Sequence, residues 1–433
     1  MPSSDPTLIV GGGIAGLLCA RTLAQAGTEV VLYEREADVG GRVRTTMRDG
    51  FRLDHGFQVL FTAYPTLAAA LDLPALELRE FRPAAVISQD GARPAVIGDA
   101  LADYSLLWPT LLAPQLSVLD KLRMLRLRLL ATSLSFDACF APRFDDVSTR
   151  QFLQRRGFSR GAIAHFFAPF YGGILLDRSL ETSASVLLYT FKMLAAGRTV
   201  VPARGMGAIT RQLVASLPSG SVRTNTGVSR VLTRDGAACG VQLDDGTEVR
   251  ASQVVLATSP DMIATLAATA QVAIDVPPTS LGCTTVYLRS REPLLDGDAL
   301  WLNASADATV SHAITISNVA PSYAPAGWAL TAATVLGTAA RLDDAELEQR
   351  VRRDLSVMGG KSESARAELL ATWRVPYSQY GQPPGSVRRR VPPVTTLRGL
   401  YVASEAAHTS SLEGAARGGL MAAKAVLHDA IMA

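Results

Sequence analysis

Residues 39–57, VGGRVRTTMRDGFRLDHGF, set an adjacent glycine pair and four arginines in a short stretch near the N-terminus. A guanidinium is permanently charged and offers a fork of donors, while glycine lets a ligand come close to the backbone; together they suit a phosphate. A solvated turn would use the same residues, so the flanking sequence has to decide. Upstream, Gly11, Gly13 and Gly16 have the spacing G-x-G-x-x-G, and an acid, Glu34, follows about twenty residues on. In such a pattern the first glycine makes a tight turn. The second admits a pyrophosphate to backbone N–H groups, and the third lets helix and strand pack closely.

The elements around these residues are legible. TLIV reads as a short buried strand and GGGIAG as a turn. IAGLLCARTLAQAG reads as a helix with Leu17, Ala20, Leu23 and Ala24 on its inner face, ended by Gly27. TEVVLYE is a second buried strand that finishes at Glu34. The βαβ order puts the partial positive charge of a helix N-terminus beside the glycines and Glu34 where it can accept hydrogen bonds from a ribose. This is a dinucleotide site, and by itself it does not separate NAD from FAD.

Composition limits what else the chain can be. The 433 residues exceed one ordinary core and suggest about two or three domains. With 48% hydrophobic and 19% charged residues the chain is globular, and a net charge of +3 without a basic run argues against a nucleic-acid binder. The four cysteines are dispersed, with no C-x-x-C pair, so no metal site or disulfide framework is expected, and a reduced, cytoplasmic-type protein is. The acidic, lysine-free MPSSDPT and the glycine cluster oppose a signal peptide, and YSLLWPTLLAPQLSVL (104–119) is too short and too proline-broken to span a bilayer.

An NAD domain would continue into further βα repeats. Here the second strand runs into READVGGRVRTT and then GFRLDHGFQVLF. At this point the chain resembles the FAD-dependent flavin amine oxidases, protoporphyrinogen oxidases and phytoene desaturases. The resemblance implies that Gly40, Gly41 and Arg42 hold the FAD diphosphate, and that Asp54-His55-Gly56 passes the flavin ring, with Gly56, Phe57 and Gln58 near it. It also implies cofactor contacts at Ile14, Ala15 and Arg35. The C-terminal LRGLYVASEAAHTSSLEGAARGGLMAAKAVL is similar to the family's last strand, acid and final helix. Glu405 would then stand by the ribityl or phosphate part, and Ser411, Leu412 and Ala415 at a helix start facing the flavin pyrimidine, where reduced flavin is negative. Ser404 replaces the family's usual glycine.

Residues 220–260 alternate as short strands around Asp235-Gly236 and Asp245-Gly246, and the resemblance implies that the strand holding Val228 contacts adenine through its backbone. The expected fold is α/β. A Rossmann-like FAD-binding domain is assembled from three separated segments (1–70, 200–265 and 395–433), with an inserted α+β substrate domain (71–199 and 266–394). Within the latter, the leucine-rich residues 101–140, with Arg123, Arg126 and Arg128 interleaved, read as packed helices or as an amphipathic surface for a membrane or an apolar substrate. HFFAPFYGGILLD (165–177) reads as core or as a pocket wall, and WRVPYSQYGQPPG (373–385) resembles a protoporphyrinogen oxidase segment that would wall the active site.

The expected function is removal of hydride from a predominantly apolar or aromatic small molecule onto flavin N5 of non-covalent FAD. No catalytic side chain is assigned, and neither His165 nor His312 has a visible partner. No cysteine occurs in residues 284–433, where covalently flavinylated relatives attach the ring. Two features of amine oxidases are missing. Their lysine near flavin N5 falls at or beside Cys283, and the aromatic residue two places before the C-terminal Glu-Gly is Ser411. These absences point to a desaturase or dehydrogenase whose electron acceptor is open. A flavin-dependent isomerase of a polyene-like substrate, without net redox change, and a redox-silent FAD-binding scaffold stay open as alternatives.

Overall fold

The computed structural model describes residues 5–432. Strand β1 (Thr7–Val10) leads through the glycine turn into helix α1 (Ile14–Gln25), and β2 (Val30–Tyr33) follows. β1 is buried on both faces, as an apolar strand inside a parallel sheet must be. It pairs with β2 on one side and with Val254–Leu256 on the other, all parallel. Val222–Arg223 extends the sheet beyond β2, and Leu400–Val402 beyond Val254–Leu256. The sheet thus draws on the start, middle and end of the chain. Its order reverses at β1, the position outside which ligands bind in open α/β sheets.

Only two of the short strands between 220 and 260 join that sheet. Val228–Arg234, Ala237–Leu243 and Glu248–Arg250 form a separate three-stranded antiparallel sheet. Thr199–Pro202 likewise pairs elsewhere, with Leu60–Phe61 and Leu78–Glu80.

The C-terminal helix (Leu412–Met432) packs along α1. The fit has no room for side chains at the contact. A β-carbon on Gly419 would lie 2.3 Å from the Ala15 carbonyl oxygen, and one on Gly418 would lie 2.0 Å from that of Ser404. At the start of α1, a β-carbon on Gly16 would fall 2.0 Å from the Gly11 oxygen. Gly11 itself has φ +111°, a conformation that side chains rarely allow.

Strand β3 (Phe51–Asp54) forms a hairpin with Thr45–Arg48 and carries the chain toward the second large sheet. That sheet has seven strands. Its central members are β4 (Ser280–Ser290), β5 (Val310–Thr315) and β6 (Ala329–Leu336), with β7 (Glu368–Tyr380) at one edge. Leu300–Asn303, Ala84–Ser88 and Ala95–Gly98 complete the other side, so the sheet mixes strands from before and after the helical region 107–196. Within that region, α2 (Val118–Ser133) packs against α3 (Ala184–Ala196).

Gly419→Ala should lower stability by about 1–3 kcal/mol, because overpacking a closed contact forces backbone shifts. Thermal melting followed by circular dichroism checks this. An unchanged melt would mean that the two helices can part at no cost.

Candidate functional site

The first strand and α1 meet at an open helix end. No side chain caps α1, and the position of a β-carbon on Gly13 has nothing within 4 Å. Free first-turn N–H groups facing open space are what an anion needs. The Gly-Gly-Arg loop is pinned against this end: Gly40 N–H donates to the Gly12 carbonyl at 2.8 Å, and Gly40 has φ +119°. Glu34 accepts from Gly12 N–H at 2.8 Å and from Glu36 N–H at 3.0 Å, which fixes its carboxylate at the loop.

Arg42 joins the two ends of the chain. Its Nη1 donates to the Ser378 carbonyl at 2.7 Å and lies 2.9 Å from Glu405 Oε1. The guanidinium also sits over the Tyr377 ring, 5.5 Å from its centroid. The Glu405 Oε1 is thus held by the Arg42 cation, while the Tyr377 hydroxyl is buried without a hydrogen-bond partner. Buried polar groups are normally paired. An unpaired hydroxyl and a fixed cation beside an uncapped helix fit a ligand carrying phosphates and hydroxyls. These residues suit FAD.

Gln58 links the arginine loop to the next one, donating to the Arg42 carbonyl at 2.7 Å and to that of His55 at 3.2 Å. Asp54, buried at the end of β3, holds this second loop. Its Oδ1 accepts from Thr45 Oγ1 and from Met206 N–H, and its Oδ2 from the Tyr323 hydroxyl at 2.8 Å. Tyr287 donates to its carbonyl at 2.9 Å. Burial pushes the Asp54 carboxyl up to about 6, against the opposing pull of these hydrogen bonds. Phe57 N–H then donates to Thr285 Oγ1 on β4 at 3.2 Å, which docks the loop on the second sheet.

A cavity of about 560 Å³ runs from the glycine loops to that sheet. It is lined by Gly11, Gly13, Ile14, Ala15, Glu34, Arg35, Gly40, Gly41 and Arg42 from the N-terminal loops. Gly56, Phe57, Gln58, Val228, Glu405, Ser411, Leu412 and Ala415 also line it. Gly16 does not; it lies beneath the loop, where its missing side chain lets Gly11 close over it. Arg35 faces the cavity while pairing with Asp244 at 3.4 Å. Ser411 is used as a helix cap, accepting from Gly414 N–H at 2.9 Å.

Beyond the loops the wall is largely apolar, with Phe170, Ile174, Leu175, Val186 and Leu300. Of the aromatic run at 165–177, Phe166, Phe167 and Tyr171 are core, and Phe170 reaches the cavity. Val375, Tyr377, Ser378 and Gln379 form another wall. Cys283 also borders it, its Sγ 3.2 Å from Ser378 Oγ, and no lysine lines the cavity. The carboxylates that line it, Glu34, Glu36 and Glu405, belong to the glycine loops or to Arg42.

Several lining residues carry no signal of their own in the sequence. Tyr64 and Tyr189 stack with ring centroids 6.4 Å apart and planes 8° off parallel. His312 is buried in the far wall, 5.5 Å from the Phe57 ring centroid. Burial first, and Arg178 second, lower its pKa to about 4, so the ring is neutral at ordinary pH. Its Nδ1 and the Thr334 hydroxyl are buried without hydrogen-bond partners. His55 lies against Trp373, ring centroids 3.9 Å apart and planes tilted by 39°, and burial lowers its pKa to about 4 as well.

Comparisons with known proteins agree with this geometry. The family of flavin-containing amine oxidoreductases matches residues 14–427. The carotenoid phi-ring synthase of Streptomyces griseus is 43% identical over 68 residues, 14% of this chain and 13% of that protein. The coproporphyrinogen III oxidase of Propionibacterium freudenreichii is 27% identical over 174 residues, 39% of this chain and 31% of that protein. Both matches span less than a third of the relative's own length. A solved oxidoreductase structure from Methanosarcina mazei superposes with a TM-score of 0.74 at 21% identity, covering 98% of this chain and 100% of that one.

Arg42→Ala should weaken FAD binding about ten- to a hundredfold, the loss of one charge-assisted contact of about 1.5–3 kcal/mol. Adding Glu405→Gln should recover thermal stability, since it removes the carboxylate left buried without its cation, but not FAD affinity. Equilibrium dialysis against free FAD reads this, and unchanged affinity in Arg42→Ala removes the clamp. A second expectation concerns Asp54. Because its pKa is raised from 3.8 to about 6 in the folded state, its contribution to stability is full below 3.8 and is lost as pH rises through about 6. Asp54→Asn should therefore flatten the dependence of melting temperature on pH across that window. A profile that keeps its slope would place the titrating group elsewhere.

Proposed function

The chain belongs to the FAD-dependent flavin-containing amine oxidoreductases, and on that premise we propose that it oxidises a predominantly apolar or aromatic small molecule as a desaturase or dehydrogenase. When bound, FAD would supply the two-electron acceptor for a hydride from a substrate C–H bond, and loss of a proton from the neighbouring atom to solvent would leave a double bond in the product. The observation that carries the reading is the division of the cavity. Charge is gathered at the glycine loops and Arg42, while the volume beyond is walled by Phe170, Ile174, Val186 and Leu300 and offers no carboxylate to an ammonium ion. A redox-silent scaffold would be expected to fill that volume.

The chain's own residues have three tasks in this proposal. The open start of α1, the Gly40-Gly41-Arg42 loop and Glu405 hold the cofactor. Asp54, Gln58 and Thr285 fix the loop that would run along the flavin, so the ring stays in one place as its charge changes. The apolar wall excludes water and orients the substrate. Residues 1–70, 200–265 and 395–433 serve as the cofactor domain, with 71–199 and 266–394 as the substrate domain. The shared parallel sheet and the separate seven-stranded sheet support that division.

Electrons then pass to an acceptor other than dioxygen. Cys283, whose thiol burial pushes upward in pKa, borders the cavity where amine oxidases would carry a lysine, so no cation stands there to aid oxygen. Flavin reduced anaerobically and mixed with aerated buffer should recover its visible band slowly and with little peroxide. Reoxidation at the rate of a true oxidase, with matching peroxide, contradicts the desaturase or dehydrogenase reading. Acid denaturation should release all the FAD into the supernatant.

A further inference from the structure

We propose that residues 101–129 form a docking surface for a lipid bilayer, seated at the boundary between headgroups and acyl chains. Eleven of the seventeen exposed large apolar side chains among the described residues fall in this stretch. Helix α2 is inverted relative to a water-facing helix. Leu127 and Ala131 are buried on its inner face, whereas Val118, Leu122, Leu125 and Leu129 are 74%, 53%, 45% and 56% exposed. At about 100° per residue these four fall within about 60° of one another, one continuous apolar stripe. Tyr104, Leu107, Trp108, Leu111 and Leu112 are exposed just upstream. The two parts are tied together by Lys121, whose Nζ donates to the Leu111 and Ala113 carbonyls at 2.6 and 3.1 Å.

Charge identifies the occupant. α2 holds Lys121, Arg123, Arg126 and Arg128 against a single acid, the buried Asp120, a net charge equal to the +3 of the whole chain. On the helix the cations flank the apolar stripe at both edges. Arg126 is exposed and makes no ion pair, while Arg123 and Arg128 pair with Asp120 and Asp99. An apolar stripe edged by basic side chains, with an exposed Trp and Tyr, fits an anionic bilayer surface. A second copy fits poorly, because a two-fold contact on this stripe would set the same cations against one another. Spanning is excluded for the described helices, none of which is long and apolar enough to cross a membrane.

The stripe also lies one helix away from the cavity. α2 packs on α3, and Val186, Tyr189 and Thr190 of α3 line the cavity. Supply of an apolar substrate from lipid follows if the proposed substrate class is right; docking itself does not rest on that reading.

The test uses FAD-loaded protein in flotation with phosphatidylcholine vesicles, with and without phosphatidylglycerol. The protein should float with both, more strongly with phosphatidylglycerol, and the difference should vanish in high salt. Trp108 emission should shift to the blue and be quenched by bromine-labelled acyl chains, and Trp108→Phe should remove that part of the quenching. Leu122→Gln/Leu125→Gln/Leu129→Gln should lower vesicle binding about tenfold or more while keeping its flavin absorbance and elution volume. Wild-type protein that stays below the vesicles, or a triple variant that floats equally well, overturns the proposal. So does a concentration-dependent dimer that the triple variant abolishes, which would make a second copy the occupant. No readout depends on turnover, so failure here and failure of the redox reading are separable.

Discussion

Backbone packed directly on backbone sets the spacing between the first strand, α1 and the C-terminal helix. Gly16 admits the Gly11 carbonyl, and Gly419 admits that of Ala15, each at a distance no β-carbon could share. This brings residues near 11, 42 and 405 into one site although they are far apart in the chain. The approach leaves the start of α1 uncapped and open. It also lets Arg42 reach Glu405 at 2.9 Å, joining the N-terminal arginine loop to the segment that leads into the last helix. Both consequences favour an anionic cofactor: helix N–H groups without partners on one side, and a cation fixed by a buried carboxylate on the other.

From this cluster, order passes outward through polar contacts rather than through bulk packing alone. Gln58 holds the arginine loop to the loop after β3, Asp54 holds that loop to Met206 and Tyr323, and Thr285 receives Phe57 N–H from the second sheet. A loop anchored at both ends by buried hydrogen bonds is a rigid support for whatever lies along it. Past the loop the charged groups end: neutral polar groups remain at Tyr377, Ser378, Gln379, His312 and Thr334, and the rest of the wall is apolar. The change from charged to apolar along one cavity gives the two ends different chemical tasks.

Much of the cofactor end could be read from residue order. β1, α1 and β2 are consecutive and bounded by glycines, so periodicity marks them, and the C-terminal helix begins at Leu412 as its sequence indicates. Motif spacing also separates the glycines: Gly16, the third of the pattern, packs beneath the loop, while Gly13, the second, faces open space. At the far end, 373–385 read as a wall and 165–177 as core or wall, and both reach the cavity; what could not be read is the geometry between them, which comes from pairings between distant strands. Cys283 pairs with Leu336 and Val375, and His312 with Thr334, registers that depend on the whole sheet. Residues 101–140 show a third case. Their leucines are compatible with packed helices or with an amphipathic surface; helices form, and most of the large apolar side chains through Leu129 face outward. Hydrophobic periodicity reports a face; it does not say what covers that face.

On the proposed reading, one cavity would hold FAD at its charged end and an apolar molecule at the other. The most direct measurement is anaerobic bleaching of the visible flavin band by a matched panel of polyenes, reduced tetrapyrroles, small amines and amino acids. Bleaching by one of the apolar or aromatic classes, with amines and amino acids inactive at the same concentration, is the result expected. Bleaching by small charged amines or amino acids alone would contradict it.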